Sequence, residues 1–217
     1  MSSHEPPNGL FLVLDGIEGC GKSTQAKLLQ QRLTGLGRDV LPVRDPGTTR
    51  IGEQVRAILL SLDHVEMGMR CEMLLYMAAR AQMMTEVIRP ALAAGKIVVC
   101  DRFVSSTLAY QLCGDGLTAD GIRTVADIAI QGRWPDLTIL MDLPVEQGLG
   151  RVKRAKDRIE QRPAAYHEQV RRNYLSQEQA DPGRYRIIDA NRPIEQVTED
   201  VWRVVAPLVA IDRSNHG

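Results

Sequence analysis

A short glycine-rich stretch has residue types and a spacing that could bind phosphate groups. The segment from Gly16 to Ser23 reads GIEGCGKS, and the residues after it, TQAKLLQQRL, favour a helix. Glycines let the backbone curl around a phosphate with its N–H groups pointing inward, at the positive end of the following helix. A lysine here can reach the β- and γ-phosphates, and a serine hydroxyl can bind Mg²⁺. We therefore expect a site for a nucleoside triphosphate built from Gly16, Glu18, Gly19, Cys20, Gly21, Lys22, Ser23 and Thr24, with Ser23 as a metal ligand.

This phosphate loop does not by itself name a reaction. A glycine-rich turn that only caps a helix would explain the glycines, but it would not explain Lys22 and Ser23. A bound nucleoside triphosphate could serve a switch, a motor or a transferase. A GTP-dependent switch predicts an N/T-K-x-D motif for guanine, and the sequence contains none.

An acidic and a basic residue follow the third apolar run of the chain. Asp101 and Arg102 come directly after residues 97–100, so they are expected at the carboxyl end of a strand, where open α/β sheets bind ligands. Asp101 can orient the water shell of Mg²⁺, and the guanidinium of Arg102 matches phosphate oxygens bidentately. The competing interpretation of this pair is a surface ion pair.

The elements that must position these residues follow an alternating pattern. Apolar runs at 10–14, 40–43, 97–100, 137–141 and 185–188 show little alternation, which is typical of strands covered on both faces. Helices are predicted at about 23–35, 51–61, 68–94, 118–131, 145–155, 163–179 and 194–211, and Pro90 is expected to bend or trim the longest. The pattern predicts the P-loop NTPase fold: α/β, three layers α/β/α, with a five-stranded parallel sheet surrounded by helices. The resemblance described below adds a short basic lid to this fold.

Length and composition narrow the possibilities. A chain of 217 residues suits one domain, 1–217, of which residues 1–8 are interpreted as a flexible lead-in. Lys plus Arg equals Asp plus Glu at 27 each, which argues against a nucleic-acid partner or an acidic membrane surface. No apolar run approaches the length of about 18 residues that a membrane helix needs. The four cysteines form no CxxC pair, which favours free thiols and a cytoplasmic location.

Five local signatures, in order along the chain, resemble those of the thymidylate kinase family. They are GIEGCGKST at Gly16, RDPGTT at Arg44, LLYMAARAQ at Leu74, DRFVSSTLAYQ at Asp101 and a basic stretch ending DRIE at Asp157. The resemblance covers residues 10 to about 205. It implies phosphorylation of dTMP to dTDP by Mg-ATP and a homodimer. Another deoxynucleotide or deoxynucleoside kinase on the same scaffold is the alternative.

The resemblance implies contacts to the base and sugar of the acceptor. Tyr76, where the family more often has phenylalanine, is implied to stack on thymine, and Arg80 to bind a base oxygen. Their spacing of four puts them on one helix face. The plainer interpretation of an aromatic residue at this spacing is packing in the core. Thr107 and Gln111 are implied near the base, and Tyr110 at the sugar edge, where its ring would disfavour a 2′-hydroxyl.

The remaining implied contacts concern phosphate and sugar oxygens. Arg102 is implied to grip the acceptor phosphate, and Glu18 to accept a hydrogen bond from the 3′-hydroxyl. Arg44 is expected to face the acceptor, with a turn-stabilising role as the alternative, and Asp45 stands where the family has glutamate. A tight turn beside a ligand is where a cis bond before a residue such as Pro46 is found.

Basic residues crowd into the segment at about 151–162. Arg151, Lys153, Arg154, Lys156 and Arg158 resemble the family's mobile lid, and the phosphate loop offers no arginine of its own. We therefore expect Arg154 and Arg158, ranked above the lysine between them, to act in catalysis with Lys22 and Arg102. A solvated basic helix is the alternative. The loop containing Arg192 is implied to lie near the adenine of ATP.

Overall fold

Five strands form one parallel sheet. The computed structural model describes residues 9–114, 116–153, 155 and 157–214, without the side chains of 211–214. The strands are β1 (Phe11–Gly16), β2 (Val40–Arg44), β3 (Ile97–Asp101), β4 (Leu137–Asp142) and β5 (Tyr185–Asp189), in the spatial order β2-β3-β1-β4-β5. This confirms the predicted α/β fold and its five-stranded parallel sheet. The interpreted lead-in, residues 1–8, lies outside the described residues.

The central strand β1 is buried on both faces. Successive strand side chains point to opposite faces of a sheet, and Leu12 and Leu14 join one apolar cluster while Phe11 and Val13 join another. Helices cover both faces, which gives the three predicted layers.

The helices are α1 (Lys22–Gly35), α2 (Arg50–Leu60), α3 (Met69–Met83), α4 (Arg89–Ala93), α5 (Val104–Tyr110), α6 (Ala119–Ile130), α7 (Val145–Arg151), α8 (Ala164–Ala180) and α9 (Ile194–Ser214). Residues of α1 and α9 pack in the cluster with Leu12, and residues of α3, α4 and α6 in the cluster with Phe11. Within the described part of the chain, no helix is both long and apolar enough to cross a membrane.

Three helical predictions need correction. The long segment predicted at 68–94 is helical from Met69 to Ala93, but it is not one regular α-helix, because a π-helical turn, Met84–Ile88, lies between α3 and α4. Pro90 lies in the first turn of α4, directly after that π-helical turn. The short helix α5 was not predicted. Helix α7 ends at Arg151 rather than near 155, and its two glycines, Gly148 and Gly150, lower its helix propensity.

The sheet brings the ends of β1 and β3 together and leaves β2 at an edge. Leu14 of β1 is in register with Asp101 of β3, and the Arg102 amide donates to the carbonyl oxygen of Leu14 at 3.0 Å. The residues after these two strands are therefore neighbours. Edge strand β2 contains Pro42, which has no amide hydrogen to donate.

Candidate active site

The phosphate loop links β1 to α1 in a tight curl. Gly19 and Gly21 have positive φ angles of 71° and 91°, a conformation that glycine adopts without strain. A Cβ atom on Gly19 would overlap the carbonyl oxygen of Gly148 in α7. Lys22 is buried, and its Nζ donates to the carbonyl oxygen of Ile17 at 3.0 Å. The lysine therefore lies against its own loop.

Two oxygen ligands meet beside this loop. The hydroxyl of Ser23, in the first turn of α1, donates to the carboxylate of Asp101 at the end of β3. Mg²⁺ takes oxygen ligands and keeps several waters, so one or two protein oxygens plus substrate phosphates suffice. Among the described residues, no group of three or more His, Cys, Asp or Glu side chains could hold a metal ion. Ser23 and Asp101 thus fit Mg²⁺ bound jointly with a nucleotide.

Arg102 lies across the end of the phosphate loop. Its φ angle of 70° is uncommon for a residue with a side chain. Its Nη1 donates to the carbonyl oxygen of Gly16 at 3.0 Å, and its Nη2 donates to Glu18 at 2.8 Å. These contacts hold the guanidinium beside the loop, where it also lines a large cavity.

Asp15 holds Arg102 and its surroundings in place, a role that the sequence analysis missed. Its carboxylate is fully buried at the end of β1 and accepts hydrogen bonds from Ser105 at 2.5 Å, Ser106 at 2.8 Å and Tyr174 at 2.7 Å. Arg102 Nη1 donates to it at 3.3 Å. An acidic residue at the end of an apolar strand was the available signal, since buried carboxylates are rare unless they are hydrogen-bonded or paired.

Glu18 is the carboxylate of the phosphate loop. The hydroxyl of Tyr110 contacts both of its carboxylate oxygens, at 2.8 and 2.7 Å. Burial raises the pKa of Glu18, but the charges of Arg102 and Lys22 and the Tyr110 hydrogen bond outweigh burial, so its pKa lies below the ordinary value. Glu18 therefore carries its negative charge at neutral pH.

Arg80, implied by the resemblance to bind the base, has one of the largest fully buried side chains among the described residues. Its Nε and Nη2 donate to Asp45 Oδ2 at 2.7 and 2.5 Å, and its Nη1 donates to Thr107 at 3.3 Å. Burial raises the pKa of Asp45, and the ion pair with Arg80 offsets only part of that rise. Burial also raises the pKa of Tyr76, so its hydroxyl stays protonated. Arg80, Asp45, Thr107 and Tyr76 all line the same cavity as Arg102, and we call them the acceptor wall after the contacts that the resemblance implies.

The turn after β2 contains a cis peptide bond between Asp45 and Pro46, a point that the sequence left open. Arg44 does not join the acceptor wall through its hydrogen bonds. Its Nη2 donates to Glu53 at 2.9 Å, and the Thr48 amide donates to the same carboxylate at 2.9 Å. That backbone bond is the main cause that lowers the pKa of Glu53. Arg44 nevertheless lines the cavity together with Pro46.

The structure pairs Arg158 with a buried carboxylate that the sequence analysis did not single out. Arg158 Nη2 donates to Glu72 at 2.6 Å, and its Nε donates to the carbonyl oxygen of Leu59 at 3.0 Å. Gln111 Nε2 also donates to Glu72, at 2.6 Å. The guanidinium of Arg158 is therefore engaged by groups of the protein itself. Arg154, its counterpart in the predicted lid, lies outside the described residues.

Two cavities adjoin at the phosphate loop. The first, of about 470 Å³, is lined by most of the predicted acceptor residues and by Arg151 and Lys153 of the predicted lid segment. The second, of about 380 Å³, lies on the other side of the loop. Its lining residues include Gly19, Cys20, Gly21, Thr24, Arg151 and Arg192. Arg192 also pairs with Asp200 in α9. Gly19 and Arg151 line both cavities, so they lie at the boundary between them.

A parallel sheet with a phosphate loop between two adjoining cavities, each lined by cationic side chains, defines a P-loop protein of the nucleotide kinase class. A family model described as thymidylate kinase matches residues 14–201. The chain belongs to the thymidylate kinase family.

Similar proteins span nearly the same length as this chain. The thymidylate kinase of Halothermothrix orenii is 44% identical over 202 residues, which cover 91% of this chain and 96% of that protein. The thymidylate kinase of Pseudomonas putida is 45% identical over 204 residues, 93% of this chain and 97% of that protein. A crystal structure of thymidylate kinase from Ehrlichia chaffeensis is 28% identical, with a TM-score of 0.76, and covers 92% of this chain and 100% of that chain.

Proposed function

We propose that this protein transfers the γ-phosphoryl group of ATP to dTMP and so forms dTDP. The observation that carries the proposal is the position of Arg102 between the phosphate loop and the first cavity. A guanidinium there can hold the phosphate of an acceptor while the loop holds that of a donor. Family membership and the names of the relatives support thymidine monophosphate as the acceptor.

The phosphoryl donor, ATP, belongs in the second cavity, and its phosphates reach into the phosphate loop. Backbone N–H groups at the start of α1 and the charge of Lys22 suit the β- and γ-phosphates. Ser23 and Asp101 would hold Mg²⁺, which when bound neutralises charge on the phosphate oxygens. Arg192 lies in the lining of the same cavity, where the adenine is expected.

The acceptor belongs in the first cavity. Tyr76 and Arg80 line it, together with Thr107 and Gln111, and offer a ring and polar groups to the base. Tyr110 stands beside Glu18, so its ring suits a sugar that lacks a 2′-hydroxyl while Glu18 accepts from the 3′-hydroxyl. Arg44 and Pro46 also line this cavity.

This reaction needs no protein base. The attacking oxygen belongs to a phosphate whose second pKa is about 6, so it is largely dianionic at neutral pH. The side chains therefore align the two nucleotide polyanions and offset their negative charge. Closure of the lid over them would exclude water. The lid supplies further cations, with Arg151 and Lys153 already in the cavity lining. Catalytic roles for Arg154 and Arg158 stay predictions, and that of Arg158 requires its release from Glu72.

The substrate assignment can be tested with the purified protein and Mg-ATP. We expect ADP to form fastest with dTMP when dTMP, dUMP, dCMP and thymidine are compared in a coupled assay. Rapid ATP turnover without any acceptor would contradict a kinase. A preference for thymidine over dTMP would instead indicate a deoxynucleoside kinase.

We further propose a cytoplasmic single-domain protein that acts as a homodimer on small molecules, without nucleic-acid or membrane partners. Its free cysteines suit a reducing compartment. Exposed apolar side chains on α2 and α3, Ile58 and Leu74, are available to a second copy. Sedimentation equilibrium would give twice the chain mass if the dimer forms.

A further inference from the structure

Glu72 is a buried carboxylate on the helix that carries the acceptor wall. It lies one turn before Tyr76 on α3, so both side chains occupy one face of that helix. Its side chain is fully buried. A buried carboxylate is rare unless hydrogen bonds and cations surround it. Glu72 is therefore held in a fixed position by the residues around it.

The two oxygens of Glu72 have different contacts. Oε2 accepts from Arg158 at 2.6 Å and from Arg162 at 2.9 Å. Oε1 accepts from the side-chain amide of Gln111 at 2.6 Å. The two arginines thus occupy one oxygen and leave the other to the glutamine.

This contact fixes which end of the Gln111 amide faces the cavity. A side-chain amide has a donor end and an acceptor end, and an ionised carboxylate can only accept. The NH₂ group of Gln111 must therefore turn toward Glu72. Gln111 is itself buried and lines the first cavity beside Thr107. The group that it offers to the cavity is its carbonyl oxygen.

We propose that Glu72 is a positioning residue that makes Gln111 a hydrogen-bond acceptor and thereby selects the base of the acceptor nucleotide. A carbonyl oxygen suits a pyrimidine whose N3 carries a hydrogen, as in thymine and uracil. Cytosine presents a lone pair at N3, which a carbonyl oxygen repels. This inference rests on the proposed function, because it concerns the base of the acceptor that the first cavity binds.

The test is the variant Glu72→Gln, which has nearly the same shape. In this variant the two arginines, which can only donate, hold the amide oxygen of residue 72 on their side, so its NH₂ group faces Gln111. Gln111 must then turn its own oxygen toward residue 72 and its NH₂ group toward the base. We expect kcat/KM for dTMP relative to dCMP to fall by about tenfold, the scale of one misplaced hydrogen bond in a buried site. The ratio of dTMP to dUMP should stay unchanged, since both bases carry N3–H. A general loss of structure would instead lower activity on all three substrates alike.

Two further variants sharpen the result. The exchange Glu72→Gln with Gln111→Glu restores a group that only accepts beside the base, so it should recover the preference for dTMP over dCMP. Glu199→Gln removes a carboxylate that pairs with an arginine on the surface, and both ratios should match those of the unchanged protein.

The outcomes separate this inference from the proposed function. If the unchanged protein does not phosphorylate dTMP, the proposed function is wrong. If it does, and folded Glu72→Gln keeps the preference for dTMP over dCMP, the role of Glu72 is overturned. Should Glu72→Gln not fold, the variant Glu72→Gln with Arg162→Gln removes one charge of each sign and takes the same measurement, with the same fall expected and the same overturning result.

Discussion

At the scale of single residues, the buried carboxylate of Asp15 needs many hydrogen-bond donors around it. Its hydrogen-bond donors come from β1, from α5 and the residue just before it, and from α8. An ionised carboxylate can accept from all of them, whereas an asparagine would turn an NH₂ group toward other donors. The identity of this residue is therefore set by its surroundings as much as by its size.

We expect Asp15→Asn to lower the free energy of unfolding by about 2 to 4 kcal/mol, because it leaves buried donors unpaired. Urea denaturation measures this change. Asp142→Asn is a matched control at the end of neighbouring β4, where the carboxylate is partly exposed and pairs with Arg171, and it should cost about 1 kcal/mol or less. Equal losses in the two variants would contradict the special role of Asp15.

The ionisation of Glu18 gives a prediction about pH. The pKa of this carboxyl is lowered in the folded protein, so the stabilisation from its charge is present above its ordinary pKa and is lost only as pH falls through the lowered value. Glu18 therefore stays charged throughout the range from about pH 6 to 8. The acceptor phosphate, with a second pKa of about 6, is the group that titrates there.

We accordingly expect kcat/KM for dTMP to fall below about pH 6, as the phosphate dianion is protonated. Measuring the pH profile of the unchanged protein and of Glu18→Gln tests this assignment. The acid limb should lie at the same pH in both, although the variant is less active overall. A limb that moves with the substitution would assign the titration to Glu18 instead.

At the scale of elements, the phosphate loop and α7 touch through glycines. A Cβ on Gly148 would overlap the carbonyl oxygen of Glu18, and one on Gly19 would overlap the carbonyl oxygen of Gly148. Gly150, two residues further along α7, has no atom within 4 Å of the place where its Cβ would stand. One helix thus contains a crowded glycine and an open one.

We expect Gly148→Ala to displace the phosphate loop and to raise KM for ATP by about tenfold or more, since small misplacements of binding groups cost this much. Gly150→Ala should keep KM for ATP and stabilise the protein by about 0.5 to 1 kcal/mol, because alanine favours a helix. Steady-state kinetics and thermal denaturation provide both readouts. If the two alanines affect KM equally, the glycine contact does not position the loop.

The sequence predicted those parts of the site that depend on neighbours along the chain. The phosphate loop could be located because its glycines, Lys22 and Ser23 are contiguous, and the five strands because buried parallel strands are apolar throughout. Asp15 and Glu72 could not be interpreted so easily. The hydroxyl of Tyr174 reaches Asp15 from 159 positions away, and Arg158 reaches Glu72 from 86.

The same limit explains the outcome for the basic lid. Charge density between 151 and 162 indicated cations near phosphates, and Arg151 and Lys153 do line the first cavity. The composition of this segment could not reveal that Arg158 pairs with a buried carboxylate, because Glu72 lies 86 positions earlier in the sequence. Helix α5 was missed for a related reason, since seven residues are too few to show a helical period.

At the scale of the whole molecule, the acceptor cavity is already formed by α3, α5 and the turn after β2. A ligand that binds the folded protein stabilises it by about 2.7 kcal/mol at a hundred times its Kd. For a chain of this size each kcal/mol raises Tm by about 2 to 4 °C. Binding to a prepared cavity should therefore be visible in thermal denaturation without any catalysis.

We expect dTMP alone, at a hundred times its Kd, to raise Tm by about 5 to 10 °C. Arg102→Ala should lose most of this shift at the same dTMP concentration, because the guanidinium is the proposed contact to the acceptor phosphate. Thymidine, which has no phosphate, should give a small shift with either protein. A full dTMP shift in Arg102→Ala would contradict the assignment of this arginine.

The proline in edge strand β2 has a consequence for how copies of the chain behave in a crowded solution. A sheet margin with a full row of free amide donors can recruit strands from other molecules and grow into aggregates. Pro42 interrupts that row. Replacing it with valine would add a free amide donor to this margin, and the altered protein should form fibrillar or amorphous deposits sooner during prolonged storage.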